Sequence, residues 1–267
     1  LPFPQEEYQR RLDDVKTRMQ KRGIDLLYVT MPENVYYLSG LNLVWPRISS
    51  PPAWDYQKAT GVAISLRSDD FMLFEISDEE GSVLYETNCK MPRIKEDIPG
   101  AETEMFGKAF EAPAQGENLL DLIVKDLKAE GWLKGTIGLE FGSAKPNRKV
   151  SEELQAKLEK EGMKVVDGTD IVLASRTIKS DLELACIERA TEFANVAHKA
   201  IKANMREGIT ELEMVGEYTL AMYKAGGESM GIVDMCRFGK DRFWRPHSPA
   251  GRRKLKIGDT VAVDLCG

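Results

Sequence analysis

Two residue types are scarce in this 267-residue chain: histidine, present twice, and cysteine, present four times. The cysteines stand at 89, 186, 236 and 266, with no CxxC or zinc-cluster spacing. They read as reduced thiols, three in apolar settings, as expected of a cytoplasmic protein. No HExxH or histidine pair surrounds His198, so a zinc site built on that helix has no support and the residue reads as a helix-surface or partly packed histidine. No GxSxG occurs, so Ser248 is only a neighbour of His247 and not a positioned nucleophile. GxGxxG and GxxxxGK[ST] are also absent, which excludes the common phosphate-cradling loops; Gly226-Gly227 reads as a helix stop. No apolar run approaches the ~20 residues that span a bilayer. The opening Leu1-Pro2-Phe3-Pro4-Gln5-Glu6-Glu7-Tyr8 lacks the basic and apolar regions of a signal peptide, and a first residue of Leu suggests that a few residues precede it. No membrane partner is therefore expected. Excess positive charge is missing too: a net charge of −6 and a pI near 5.3 argue against nucleic acid as the main partner.

The residues that are present describe an ordinary globular protein, with 42% hydrophobic and 30% charged side chains. Tyr8, Leu12, Val15 and Met19 form one helical face that ends at Arg22-Gly23. Ile24 to Thr30 reads as a strand, Met31-Pro32-Glu33-Asn34 as a turn, and 42–55, with its prolines and tryptophans, as a loop. Gly61–Leu66 and Phe71–Ile76 read as a hairpin around Arg67-Ser68-Asp69-Asp70, while 77–117 is ambiguous. Asn118 caps a helix carrying Leu119, Ile123 and Leu127 and closed by Gly131. Thr136–Glu140 is a strand, Ser151 starts a helix closed by Gly162, and Met163–Val166 is a strand. This order predicts an α/β N-terminal domain over residues 1–170 with a mixed sheet and helices.

The second half, from residue 176 to 267, has a different pattern. Ser180-Asp181-Leu182-Glu183 and Thr210-Glu211-Leu212-Glu213 are capping boxes. The first opens a long helix with Ile187, Ala190, Ala194, Ala197 and Ile201 on one face, stopped by Gly208. The second opens a helix with Leu212, Val215, Thr219 and Met222 on one face. A strand over 230–238, a loop, and a strand from Thr260 to Leu265 complete an α+β pattern. In the last strand Thr260, Ala262 and Asp264 share a face opposite Val261, Val263 and Leu265. Small residues leading to a carboxylate leave room for a hard cation or a polar substrate. Two prolines pin the backbone around His247, which is either a loop histidine on the surface or a proton carrier across a pocket from Asp264. Arg242, Arg245, Arg252, Arg253, Lys254 and Lys256 form either a solvated loop or a patch that recruits a carboxylate-bearing substrate.

Four stretches together resemble the creatinase, prolidase and aminopeptidase P family of pita-bread metallohydrolases. Asn34-Val35-Tyr36-Tyr37-Leu38-Ser39-Gly40 is similar to its NxxYLTG segment. Arg176-Thr177-Ile178-Lys179-Ser180 with Glu183 is similar to RxIKSxxE, and Gly208-Ile209-Thr210-Glu211 to GxTE. Gly258-Asp259 through Asp264 resembles the GDxVxxDxG strand, with His247 ahead of it. The resemblance implies a creatinase-type N-terminal domain followed by the first part of a pita-bread catalytic domain, the chain ending inside it. It implies a Xaa-Pro-type peptidase in which two divalent metal ions (Mn, Co or Zn) bridge a hydroxide that attacks the amide carbonyl. The ligands would be two Asp, one His and two Glu, of which this chain supplies Asp264 and lacks the rest, so that it would be inactive alone. His247 matches the family's substrate-contacting histidine. Tyr56 and Lys58, ahead of Gly61-Val62-Ala63-Ile64, stand at a place similar to that of family residues that reach into a partner subunit's active site, which implies a homodimer; the other reading is a plain surface position in a Pro- and Trp-rich loop that serves packing or dimer contact. The alternatives on the same fold are a creatinase-like, ectoine hydrolase-like or sulfonium lyase-like enzyme, sometimes metal-free, acting on a small charged substrate. Cys266 occupies the position where sulfonium lyases of this kind carry an acidic residue. A non-catalytic pita-bread binding module is the alternative of another class.

Overall fold

The computed structural model describes residues 1–42, 59–76, 79–95, 118–228, 235–241 and 248–267. The expected loop over 42–55 thus lies almost wholly outside the described residues, as do Tyr56, Lys58 and His247. The chain divides into two compact units, Leu1–Ile178 and Lys179–Gly267.

The first unit is built on a six-stranded mixed sheet in the order β4-β3-β2-β1-β5-β6. Its strands are β1 (Leu26–Val29), β2 (Gly61–Ser65), β3 (Phe71–Ile76), β4 (Met91–Lys95), β5 (Thr136–Leu139) and β6 (Lys164–Asp167). β1, β5 and β6 run parallel, while β2 is antiparallel to both β1 and β3. The expected hairpin is β2–β3. Every residue of β1 is buried, because side chains alternate between two cores. Leu27 and Val29 face a cluster with Leu12, Val15 and Met19 of α1 (Gln5–Arg22), while Leu26 and Tyr28 face one with Ile123 and Leu127 of the helix Leu119–Ala129. The result is helices on both faces of the sheet, the α/β layer domain expected. Pro92 falls in β4, an edge strand, where its missing N–H costs no ladder bond on the outer side.

The structure corrects several local expectations. The turn at Met31–Asn34 is the start of α2 (Pro32–Ser39): Pro32 fits the first helical turn and Gly40, at φ 81°, caps the end. The ambiguous stretch contains α3 (Glu80–Glu86) and β4. The Asn118-capped helix is α4 (Leu119–Ala129). α5 (Arg148–Lys160) begins three residues before Ser151, because Asn147 accepts the Val150 N–H at 3.1 Å. Between β6 and the second unit, α6 (Thr169–Thr177) adds Ile171 and Val172 to the core beside α1.

In the second unit, α7 (Asp181–Asn204) and α8 (Glu211–Lys224) carry the two capping boxes as expected. β7 (Met235–Phe238) pairs antiparallel with β8 (Val261–Asp264). α7 ends at Asn204, before Gly208, because Met205 turns extended. The buried stripe of α8 is Glu211, Met214, Tyr218 and Met222, and Leu212 is exposed. No helix among the described residues is long and apolar enough to cross a membrane.

Candidate functional site

β8 presents its residues as the alternation predicts. Val261, Val263 and Leu265 pack against the core of Ala197, Tyr218, Met222 and Phe238. Thr260 and Asp264 lie exposed on the opposite face, with Ala262 between them. Asp264 ends the strand opposite Met235. Among the described residues its carboxylate makes no hydrogen bond or ion pair, so both oxygens remain available. A free carboxylate at a strand end, beside Ala and Thr, fits one oxygen ligand of a hard cation. No group of three or more His, Cys, Asp or Glu side chains gathers among the described residues. The described part of the chain therefore offers one candidate oxygen ligand, not a complete site.

The approach to β8 is tightly stitched. Asp259 accepts the Lys256 N–H at 3.0 Å and closes a turn with Gly258 at φ 86°. Gly208 donates to Leu255 at 2.9 Å, Leu255 to Ile209 at 2.8 Å, and Thr210 bridges Lys254. Arg253, from the basic cluster, pairs with Asp241 at 2.7 Å, whereas Arg242 and Arg245 lie outside the described residues. Glu211 is completely buried at the first turn of α8. Its carboxylate accepts from Phe238 N (3.0 Å), Gly251 N (2.8 Å) and the buried Arg237 guanidinium (3.1 Å). Sequence periodicity missed this role, because a charged residue at a helix start reads as capping and solvated.

Just past β8, Gly267 rests directly on the small-residue face of α7. A Cβ there would overlap the Ala190 carbonyl oxygen and lie 2.9 Å from Ala194 N, both backbone atoms that no side-chain rotation can move aside. Gly267→Ala is expected to destabilise the second unit by about 1–3 kcal/mol. Gly216→Ala, in α8 with nothing within 4 Å, is expected to stabilise it by about 0.5–1 kcal/mol. Urea unfolding measures both, and equal effects would contradict the close approach. Cys186 and Cys266 are exposed, so the expectation that three thiols sit in apolar settings does not hold. His198 lies exposed on α7, its Nδ1–H donating to Ala194 O at 2.9 Å.

In the first unit, two of the quoted motifs meet. Arg176 donates to Asn34 Oδ1 at 2.6 Å, and Asn34 Nδ2 donates to Glu140 Oε1 at 2.6 Å. Glu140 Oε2 accepts from Thr30 N and Met31 N, each at 2.6 Å. Burial pushes the Glu140 carboxyl up, opposed by these donors and by the Arg176 charge. Glu75, at the end of β3, is a second buried carboxyl: burial raises it to about 8, against the Ile76 N–H and the Thr60 hydroxyl. Neither carboxyl was singled out by the sequence pattern.

A Creatinase/Prolidase N-terminal domain model matches residues 11–178, and a Metallopeptidase family M24 model matches residues 185–267. The chain is 28% identical over 247 residues to the Xaa-Pro dipeptidase of Pyrococcus horikoshii, covering 92% of this chain and 57% of that protein. It is 30% identical over 255 residues to the putative dipeptidase YkvY of Bacillus subtilis, covering 96% of this chain and 61% of that protein. The structure of a Xaa-Pro dipeptidase from Bacillus anthracis shares the fold with a TM-score of 0.70 at 17% identity, over 97% of this chain and 61% of that one. The chain thus spans about three-fifths of the length of such relatives. It belongs to the creatinase/prolidase family, with the family's N-terminal domain leading into an M24 metallopeptidase domain of the pita-bread fold.

Proposed function

We propose that this chain belongs to a metal-dependent Xaa-Pro peptidase. The observation that carries the reading is the M24 match ending on a strand whose Asp264 carboxylate is exposed and unengaged. Asp264 would hold one of two divalent ions together with a second Asp, a His and two Glu. An oxygen-rich set of this kind suits Mn-like ions, with Co and Zn as the other candidates. When bound, such ions supply Lewis acidity toward the amide carbonyl. The chain's own contribution is to present Asp264 on a rigid strand pair and to hold or pass a proton at the scissile amide through His247. The resemblance supports a cytoplasmic homodimer in which Tyr56 and Lys58 of one subunit reach the substrate of the other.

The test uses a protein carrying the whole M24 domain, stripped with chelator and resupplied with Mn. Proline release from a Xaa-Pro dipeptide should vanish with the metal and return with it, well above release of alanine from a Xaa-Ala control. Turnover of a small guanidino acid or a cyclic amidine in place of the dipeptide would move the protein to the creatinase-like or ectoine hydrolase-like reading. His247→Ala should lower kcat by about 10²-fold or more. An unchanged rate would leave His247 a loop residue.

A further inference from the structure

We propose that α8 carries a docking face for a second copy of this chain, whose own α8 lies along it antiparallel. The inference is independent of the metal reading. The helix is apolar on two sides. One side is the buried stripe that starts at Glu211. The other carries Leu212, Gly216, Leu220 and Tyr223, at spacings of four, four and three. These four fall within about 80° of the helix circumference, nearly opposite the buried stripe. Leu212, Leu220 and Tyr223 are 49%, 51% and 46% exposed. Scattered apolar residues on a surface are ordinary, but three in line along one helix mark a contact surface. Gly216 is a second observation. A glycine weakens a helix interior, and among the described residues nothing lies within 4 Å of the place its Cβ would take. Packing within the second unit therefore makes no use of the missing side chain, whereas a closely approaching helix would.

Charge and shape select the second copy and its direction. Glu213 and Lys224 flank the stripe on the same side, near its two ends. A two-fold antiparallel pair sets that side of one helix beside the same side of the other. Glu213 then meets Lys224 of the second copy, and the reverse pair forms at the far end. The same register sets Leu220 of each copy over Gly216 of the other, large against small, and Leu212 beside Tyr223. A parallel arrangement would oppose Glu213 to Glu213 and Lys224 to Lys224. Glu217 lies further round the helix, about 100° from the centre of the stripe, and stays clear of the seam. The capping bonds of Glu213 both use Oε2, which accepts from Thr210 N at 2.7 Å and from Thr210 Oγ1 at 2.8 Å, so Oε1 can meet the lysine without disturbing the cap. A patch that complements itself about a two-fold axis closes on one partner and does not propagate. One helix is a small interface, so the association is weak and concentration-dependent.

The test follows mass by sedimentation equilibrium over a concentration series, in a protein carrying the whole M24 domain. The mass of the unaltered protein should rise with concentration. Leu220→Glu should halve the mass at the highest concentration, whether the associating unit is one copy or a dimer formed through another surface. Leu84→Glu changes an equally exposed leucine of α3 (50%) and should leave the series unaltered. Gly216→Leu fills the gap and should weaken association about 10-fold or more. Lys224→Glu should weaken it about 3- to 10-fold. Cross-linking gives a readout that does not depend on Leu220→Glu folding. With Cys186 and Cys266 replaced by serine, a mixture of Gly216→Cys and Leu220→Cys proteins should form a disulfide between copies on oxidation, and Leu212→Cys alone should not. A mass that stays at its lowest-concentration value, a mass that survives Leu220→Glu, or a mixture that fails to cross-link would each overturn the docking face.

Discussion

Asp264→Asn, in a protein carrying the whole M24 domain, is expected to bind less metal and to lose more than the ~100-fold in activity that even an outer partner of a ligand can cost. The neutral amide keeps the size of the carboxylate and removes the charge that holds a hard cation. The strand should not notice the change. Asp264 is exposed and has no hydrogen-bond or ion-pair partner among the described residues, and its neighbours Val263 and Leu265 supply the packing. The metal-free variant should therefore unfold at the same temperature as the unaltered protein, since surface changes of this kind stay within about 0.5 kcal/mol. Metal content by mass spectrometry, kcat, and the metal-free melting temperature separate the two effects. Full metal content with full activity would remove Asp264 from the ligand set. A lowered metal-free melting temperature would show that the strand, not the metal, was what changed.

The second large effect belongs to the other unit. Glu75 is 2% exposed, and burial raises its carboxyl from 4.5 to about 8, helped by the nearby Glu79 charge and opposed by the Ile76 N–H and the Thr60 hydroxyl. Between those two values the folded protein keeps a proton that the unfolded chain has released. Stability therefore falls as pH rises through that window and levels off above it. The total loss is on the order of a few kcal/mol, which for a unit of this size is about 5–10 °C in melting temperature. Glu75→Gln mimics the protonated carboxyl and cannot ionise. The variant should match the original protein near pH 5 and melt well above it near pH 9. Melting curves that stay parallel across that range would mean that Glu75 does not keep its proton in the folded state.

Much of the fold was legible in the sequence where one rule acted alone. The Tyr8–Met19 face, the β2–β3 hairpin, the Asn118 cap and both capping boxes were read correctly because periodicity and end signals agreed. Reading failed where two rules assigned the same residues differently. Pro32, Glu33 and Asn34 suit a turn as well as a first helical turn, and only the Gly40 cap eight positions after Pro32 decides between them. On α8 the apolar period pointed to Leu212 and Val215, yet the buried stripe starts at Glu211, whose charge is neutralised by Arg237 and by backbone amides from distant segments. A pattern of apolar residues cannot anticipate a carboxylate buried by partners some 26 to 40 residues away. The same holds for Glu140, whose donors come from Thr30, Met31 and Asn34. Of the candidate site, the strand geometry around Asp264 was legible because alternation along a strand needs no distant partner.

The sheet order of the first unit also sets a timetable for synthesis. β1 sits at the middle of the sheet, flanked by β2 on one side and β5 on the other. The β5 side is joined by contacts such as the Thr136 N–H to the Asp25 carboxylate, 111 positions apart in sequence. At a translation rate of about 5–20 residues per second, β1 leaves the ribosome roughly 6–20 s before β5 exists. Through that interval the nascent chain can fold β1, β2 and β3 together while the far edge of β1 stays open, a bare apolar strand awaiting a partner still being made.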